Sequence, residues 1–156
     1  MTYPKLLMAS AIIASAAMTA CSDTTAPKPL TPGVSEFTRS GTFHVVKNCS
    51  NYHGLAGDTC TITSSTLKQL DGATITYASG ADANAFVNTD VVLDPPGPGN
   101  NRAFGHCELS LLTGIGVCTF SGGTGKFTWF HARADVSPLG NLNFAWDGTY
   151  SFDPHQ

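Results

Sequence analysis

From Asn141 to Phe152 the chain alternates strictly, with Leu142, Phe144, Trp146, Tyr150 and Phe152 on one parity and Asn143, Asp147, Thr149 and Ser151 on the other. A period of two belongs to a β-strand with one face in a core and one in water. Weaker alternation recurs at Phe43 and Val45, Cys60 and Ile62, Ile75 and Tyr77, Val87, Val91 and Leu93, and Cys107, Leu109 and Leu111. Two further segments, Val117 to Phe120 and Phe127 to Val136, complete the set, and no stretch sustains the 3.6 period of an amphipathic helix. Turn dipeptides such as Asp71-Gly72, Ser79-Gly80, Thr113-Gly114 and Gly122-Gly123 separate these runs. About eight strands at such spacing predict an all-β domain, an antiparallel β-barrel with a β-sandwich as the alternative. An open sheet would leave unpaired edges, a template for aggregation.

The first twenty residues read as an export signal. Lys5 supplies the positive end, Leu6 to Ala17 is an apolar run too short to cross a bilayer, and small residues follow. Met18-Thr19-Ala20-Cys21 resembles the lipobox of bacterial lipoproteins, with Met18 in the place of the usual Leu. That resemblance implies cleavage before Cys21, lipidation of its thiol and a place in the bacterial cell envelope, facing away from the cytoplasm. The residue after the cysteine is Ser22 rather than the Asp of inner-membrane retention, which points to an outer membrane where the cell has one. Residues 21–35 carry Pro27, Pro29 and Pro32 and little to bury, the composition of a tether, so the expected folded unit is 36–153.

Among the 156 residues only 12% are charged, the net charge is -3, and no basic cluster occurs, so nucleic acid is not an expected partner. With Cys21 assigned to lipid, Cys49, Cys60, Cys107 and Cys118 remain, in two pairs each separated by eleven positions. An even count in an oxidising compartment reads as disulfides. Three connectivities are open, of which we favour the two sequential pairs, each stapling a local hairpin. Zinc is disfavoured because neither pair has the short spacing of a structural site. Asp94 to Arg102, DPPGPGNNR, is an exposed loop, and Asp90, Asp94, Asn100 and Asn101 near it lack the ligand alternation of a calcium loop. No metal or cofactor is expected.

Ser121-Gly122-Gly123-Thr124-Gly125-Lys126-Phe127 invites a phosphate-loop reading, which fails because Phe120 stands where the first Gly is needed and Phe127 where Ser or Thr must follow the Lys. A tight turn between strands explains these glycines. Gly122 to Phe127, followed by Ala132-Arg133-Ala134, resembles the GGTGKF turn and next strand of dirigent proteins and the related turn of allene oxide cyclases. The resemblance covers about fifteen residues and departs at Ala134, where dirigent proteins tend to have Gly. It implies an eight-stranded calycin-type barrel that holds small apolar molecules, and it carries over no catalytic residue.

Along Lys126 to Val136 the parity changes partway. Trp129, His131, Arg133 and Asp135 share a face, while Ala132, Ala134 and Val136 look like core on the other. A bulge near Phe130 would turn the polar set outward, the usual place for charged residues. Without one, these four would line the interior as the polar end of a ligand pocket or an acid–base site. His106 and Glu108 fall on the wet side of their strand, His44 lies opposite Phe43 and Val45, His53 sits in a loop, and no G-x-S-x-G elbow supports serine catalysis. The functional expectation is a lipid-anchored, non-catalytic binding or structural module for a small apolar ligand. The alternative, implied by the family resemblance, is an isomerase or cyclase acting on an apolar unsaturated substrate.

Overall fold

In a computed structural model of the chain, residues 39–153 are described. The signal segment, Cys21 and the tether lie outside the described residues. Eight strands follow one another: β1 (Ser40–Asn48), β2 (Thr59–Ser65), β3 (Thr74–Tyr77), β4 (Phe86–Asp94), β5 (Ala103–Ser110), β6 (Gly116–Gly123), β7 (Phe130–Gly140) and β8 (Asn143–Phe152). Each pairs antiparallel with the next, and β8 returns to β1, so the sheet is a closed eight-stranded barrel. Closure gives every residue of β1 a partner on β8, from Ser40 opposite Ser151 to Asn48 opposite Asn143. A closed sheet has no edge to protect.

Alternation decides what fills the cylinder. Phe43, Val45 and Lys47 of β1 point inward, as do Val87, Thr89, Val91 and Leu93 of β4 and Trp146 and Tyr150 of β8. The turns β1–β2, β3–β4, β5–β6 and β7–β8 lie at one end, here the upper end; the remaining turns and both ends of the described chain lie at the lower end. Aromatic rings plug the lower half. Phe130 packs at 5.2 Å from Phe127 and 5.1 Å from Phe152, while Phe120 bridges Phe130 to Trp146 at 6.0 and 5.6 Å. An eight-stranded barrel is just wide enough for side chains to fill.

The four remaining cysteines form the two sequential disulfides, Cys49–Cys60 and Cys107–Cys118. Cys107 and Cys118 are directly opposite on β5 and β6 and buried within the barrel; the other bridge ties the end of β1 to the start of β2. Closing loops of this length contributes about 3 kcal/mol each in the chain-entropy model.

The glycine-rich segment is a turn, as its composition predicts. Gly122 and Gly125 hold φ of 112° and 57°, and Gly125–Phe127 is one 3₁₀ turn. The Lys126 side chain is exposed, and the turn packs on the β4–β5 loop, where Lys126 N donates to Asn101 Oδ1 and Thr124 Oγ1 to the Asn100 carbonyl. One expectation changes here: no bulge at Phe130 resolves the parity conflict. The 3₁₀ turn and Thr128 in the αR region break the period, so Phe127 and Phe130 are both buried and β7 begins at Phe130.

Gly148 shows how tightly β1, β7 and β8 meet. It pairs with Phe43 and Ala134, and a Cβ there would overlap the Arg133 carbonyl and lie 3.0 Å from the Ala134 Cα. Gly148→Ala is therefore expected to lower unfolding free energy by about 2 to 3 kcal/mol, the upper part of the range of about 1 to 3 kcal/mol for overpacked core sites, read as a drop in the urea midpoint.

Candidate functional site

The four residues singled out from Trp129 to Asp135 do not line the interior. Arg133 and Asp135 are exposed on the outer face and pair with each other at 3.4 Å, and His131 lies on the same face opposite Ser121 and Ser151. Trp129 precedes the strand and is 53% exposed. Their inward counterparts are Ala132, Ala134 and Val136, because the strand restarts its alternation at Phe130. Two further histidines are outer-face ligands of carboxylates: His44 Nδ1 lies 2.6 Å from Asp147, and His106 Nδ1 lies 2.9 Å from Asp90 while its Nε2 meets Asn88. Among the described residues no group of three His, Cys, Asp or Glu could hold a metal ion.

The distinctive surface is the upper end. Leu55, Phe86, Leu111, Leu112, Ile115, Leu139 and Leu142 are all exposed there, Leu112 at 81%. The turns carrying them touch one another: Ala81 N donates to the Gly54 carbonyl, Leu111 N to that of Ala85, and Cys49 N to that of Leu142. Leu142 holds φ of 60°, a left-handed conformation that disfavours an L side chain by about 1 to 2 kcal/mol. No Lys or Arg occurs in the four upper turns. Their two acids serve the backbone. Asp58 accepts from His53 N and Leu55 N, and Asp82 from Asn84 N and Phe86 N. These bonds, from Leu55 and from Phe86 foremost, hold both carboxyls below the usual range. The exposed leucine, isoleucine and phenylalanine side chains make an apolar rim, interspersed with exposed Ser50, Asn51, His53, Asn84, Thr113 and Asn141, and exposed apolar surface of this kind marks interaction sites.

Inside the rim lies a cavity of about 30 Å³, with Lys47 at its floor and Tyr52, Tyr77, Leu109, Val136 and Phe144 around it. Its size admits about one or two water-sized groups. Lys47 is 1% exposed. Its Nζ donates to the Tyr77 hydroxyl at 2.7 Å and lies 4.6 Å from the Trp146 ring centroid and 5.8 Å from that of Phe144. The Tyr77 hydroxyl in turn lies 3.8 Å from Cys60 Sγ, and because a disulfide sulfur has no hydrogen, the hydroxyl is the donor. Tyr52, stacked edge-on to Tyr77 at 4.8 Å, has a buried hydroxyl with no hydrogen-bond partner. Burial pushes the Lys47 amine down to about 7, and burial, then the neighbouring Tyr52, pushes the Tyr77 phenol up. Cation–π attraction offsets part of the desolvation of the ammonium, but no counter-charge does.

Sequence reasoning passed over this lysine. Its signal was parity: Lys47 continues the inward series Phe43, Val45.

No protein-family model, curated protein or solved structure matches the chain.

The pH dependence of stability follows from Lys47. Its folded pKa, about 7, lies below the unfolded value near 10.5. Between those values the unfolded chain binds more protons, so stability rises with pH; below about 7 the full penalty applies, on the order of 4 to 5 kcal/mol. Lys47→Met removes that dependence. The stability gained by the variant over the wild type is expected to be largest at pH 6 and to shrink steadily towards pH 10, as measured by urea unfolding across the range.

Proposed function

We propose that this chain is a lipid-anchored, extracytoplasmic β-barrel module that binds a small apolar ligand at its upper mouth and performs no chemistry on it. The observation that carries the reading is the ring of exposed leucine, isoleucine and phenylalanine side chains around the Lys47 cavity, above an interior filled with side chains. Burying such a rim is favourable by roughly 25 cal/mol per Å² of apolar surface removed from water. A tightly packed barrel with two disulfides suits a module that must keep its shape outside the cell.

The anchor belongs to the same reading. The apolar run Leu6 to Ala17 followed by Met18-Thr19-Ala20-Cys21 supports lipidation, and several acyl chains at about 0.8 kcal/mol per buried CH₂ would hold the domain at a membrane of the bacterial envelope. Kinship with the dirigent and allene oxide cyclase barrels is likewise part of the proposal, supported by the glycine-rich turn before β7 and by the eight-stranded barrel. The cyclase activity gains no support from the cavity. At about 30 Å³ it is roughly a tenth of the 300 Å³ or more that encloses a drug-sized ligand.

The test uses residues 22–156 with both disulfides formed and a neutral fluorescent probe, N-phenyl-1-naphthylamine. The wild type is expected to bind it, and Leu112→Asp with Ile115→Asp is expected to weaken binding at least tenfold without moving the unfolding transition. Absence of probe binding, or binding indifferent to the two substitutions, would overturn the reading. So would co-sedimentation with phosphatidylcholine vesicles that the same substitutions abolish, which would make the rim a membrane-docking surface.

A further inference from the structure

The floor of the mouth contains more hydrogen-bonding capacity than an apolar ligand would use. Lys47 is the one described Lys or Arg whose side chain is buried, and no carboxylate among the described residues lies within ion-pair distance of it. The groups that face it are the Tyr77 hydroxyl from β3, the Trp146 and Phe144 rings from β8, and Tyr52 from the β1–β2 turn across the same cavity. Asp58 and Asp82, the acids of the upper turns, are engaged by backbone N–H groups. Two donors are therefore left over in one small cavity: an ammonium without an anion, and the buried, unpartnered hydroxyl of Tyr52.

We infer that the cavity receives the carboxylate of an aliphatic monocarboxylic acid, Lys47 supplying the counter-charge and Tyr52 a hydrogen bond, while the ligand's tail lies against the leucine rim. The inference rests on the proposed binding role of the mouth and adds the chemistry of the ligand's head. A carboxylate suits the site in charge and in size. One negative charge answers one ammonium, whereas a phosphate or sulfate brings more charge and more oxygens than one amine and a hydroxyl can satisfy. A neutral head would leave the ammonium uncompensated in a low-dielectric wall, which is the costly state. The apolar tail finds Leu109, Leu111 and Phe144 in the cavity wall, with Leu111 also exposed at the rim.

Proton linkage supplies the signature. With the free amine titrating at about 7, a bound carboxylate favours the charged form and raises that value. At pH 6 the amine is already charged and binding is at full strength. Above pH 7 each binding event must take up a proton, so affinity falls as pH rises.

Calorimetric titration of residues 22–156 with decanoate and with decanol, at pH 6.5 and 8.5, tests this. The expected result is tighter binding of decanoate than of decanol at pH 6.5, a loss of about tenfold in decanoate affinity at pH 8.5, and no change for decanol. Lys47→Met should abolish the preference for decanoate and keep decanol binding, and Tyr52→Phe should weaken decanoate alone. Equal, pH-independent binding of both ligands would overturn the carboxylate site and leave an apolar mouth standing. Failure of both to bind the wild type would overturn the carboxylate site and count against the binding role as well.

Discussion

Closure of the sheet is the constraint on which the other features depend. Because every residue of β1 is paired along β8, the inward parity of each strand is committed to one enclosed volume, and a one-residue slip anywhere would turn a whole face inside out. The glycines of the sheet show how little slack closure leaves. At Gly105, Gly116 and Gly148 an added Cβ would run into the backbone of the next strand.

Within that volume the two halves differ. The lower half is solved by aromatic packing, Phe127, Phe130 and Phe152 in mutual contact beneath Phe120 and Trp146. The upper half holds a lysine, two tyrosines and a disulfide in a row of polar contacts from Lys47 through Tyr77 to Cys60. Dry packing around an unpaired ammonium is unfavourable for stability, and a core built only for stability would place Met or Leu there. The apolar rim above it is unfavourable for solubility in the same way. Both departures coincide at the upper end of the described barrel, and this coincidence is what supports the binding role proposed for it.

Much of the architecture was legible in the one-dimensional pattern. Alternation at Phe43 and Val45, at Val87 to Leu93 and at Phe144 to Phe152 marks strands because a pleated sheet has a side-chain period of two wherever it occurs, whereas Leu142, read on the core parity of the last strand, lies exposed in the turn before β8 with φ of 60°. The equal spacings of Cys49 to Cys60 and Cys107 to Cys118 match cross-strand bridges between neighbours, and the glycines at 122 and 125 mark a turn because they hold positive φ. The face carrying His131, Arg133 and Asp135 was harder to read. Its direction depends on where β7 restarts after the 3₁₀ turn, and a local turn of that kind shifts parity without leaving a mark in residue type.

By itself, then, the sequence determined an all-β chain of about eight strands, its turns and its disulfide-forming cysteines, because those follow from local backbone period and chain-neighbour geometry. Only the tertiary structure decided what the barrel encloses and what it shows. Lys47 on β1, Tyr52 in the turn after it and Tyr77 on β3 meet across β2, and closure of the sheet brings Leu109, Val136 and Phe144 of β5, β7 and β8 to the same cavity. The seven rim residues are scattered from Leu55 to Leu142 and gather at one end only because alternate connections of an up-and-down barrel return to the same end. Charge alone argues for a lysine in water; the parity of a closed strand overrides that preference and points it inward.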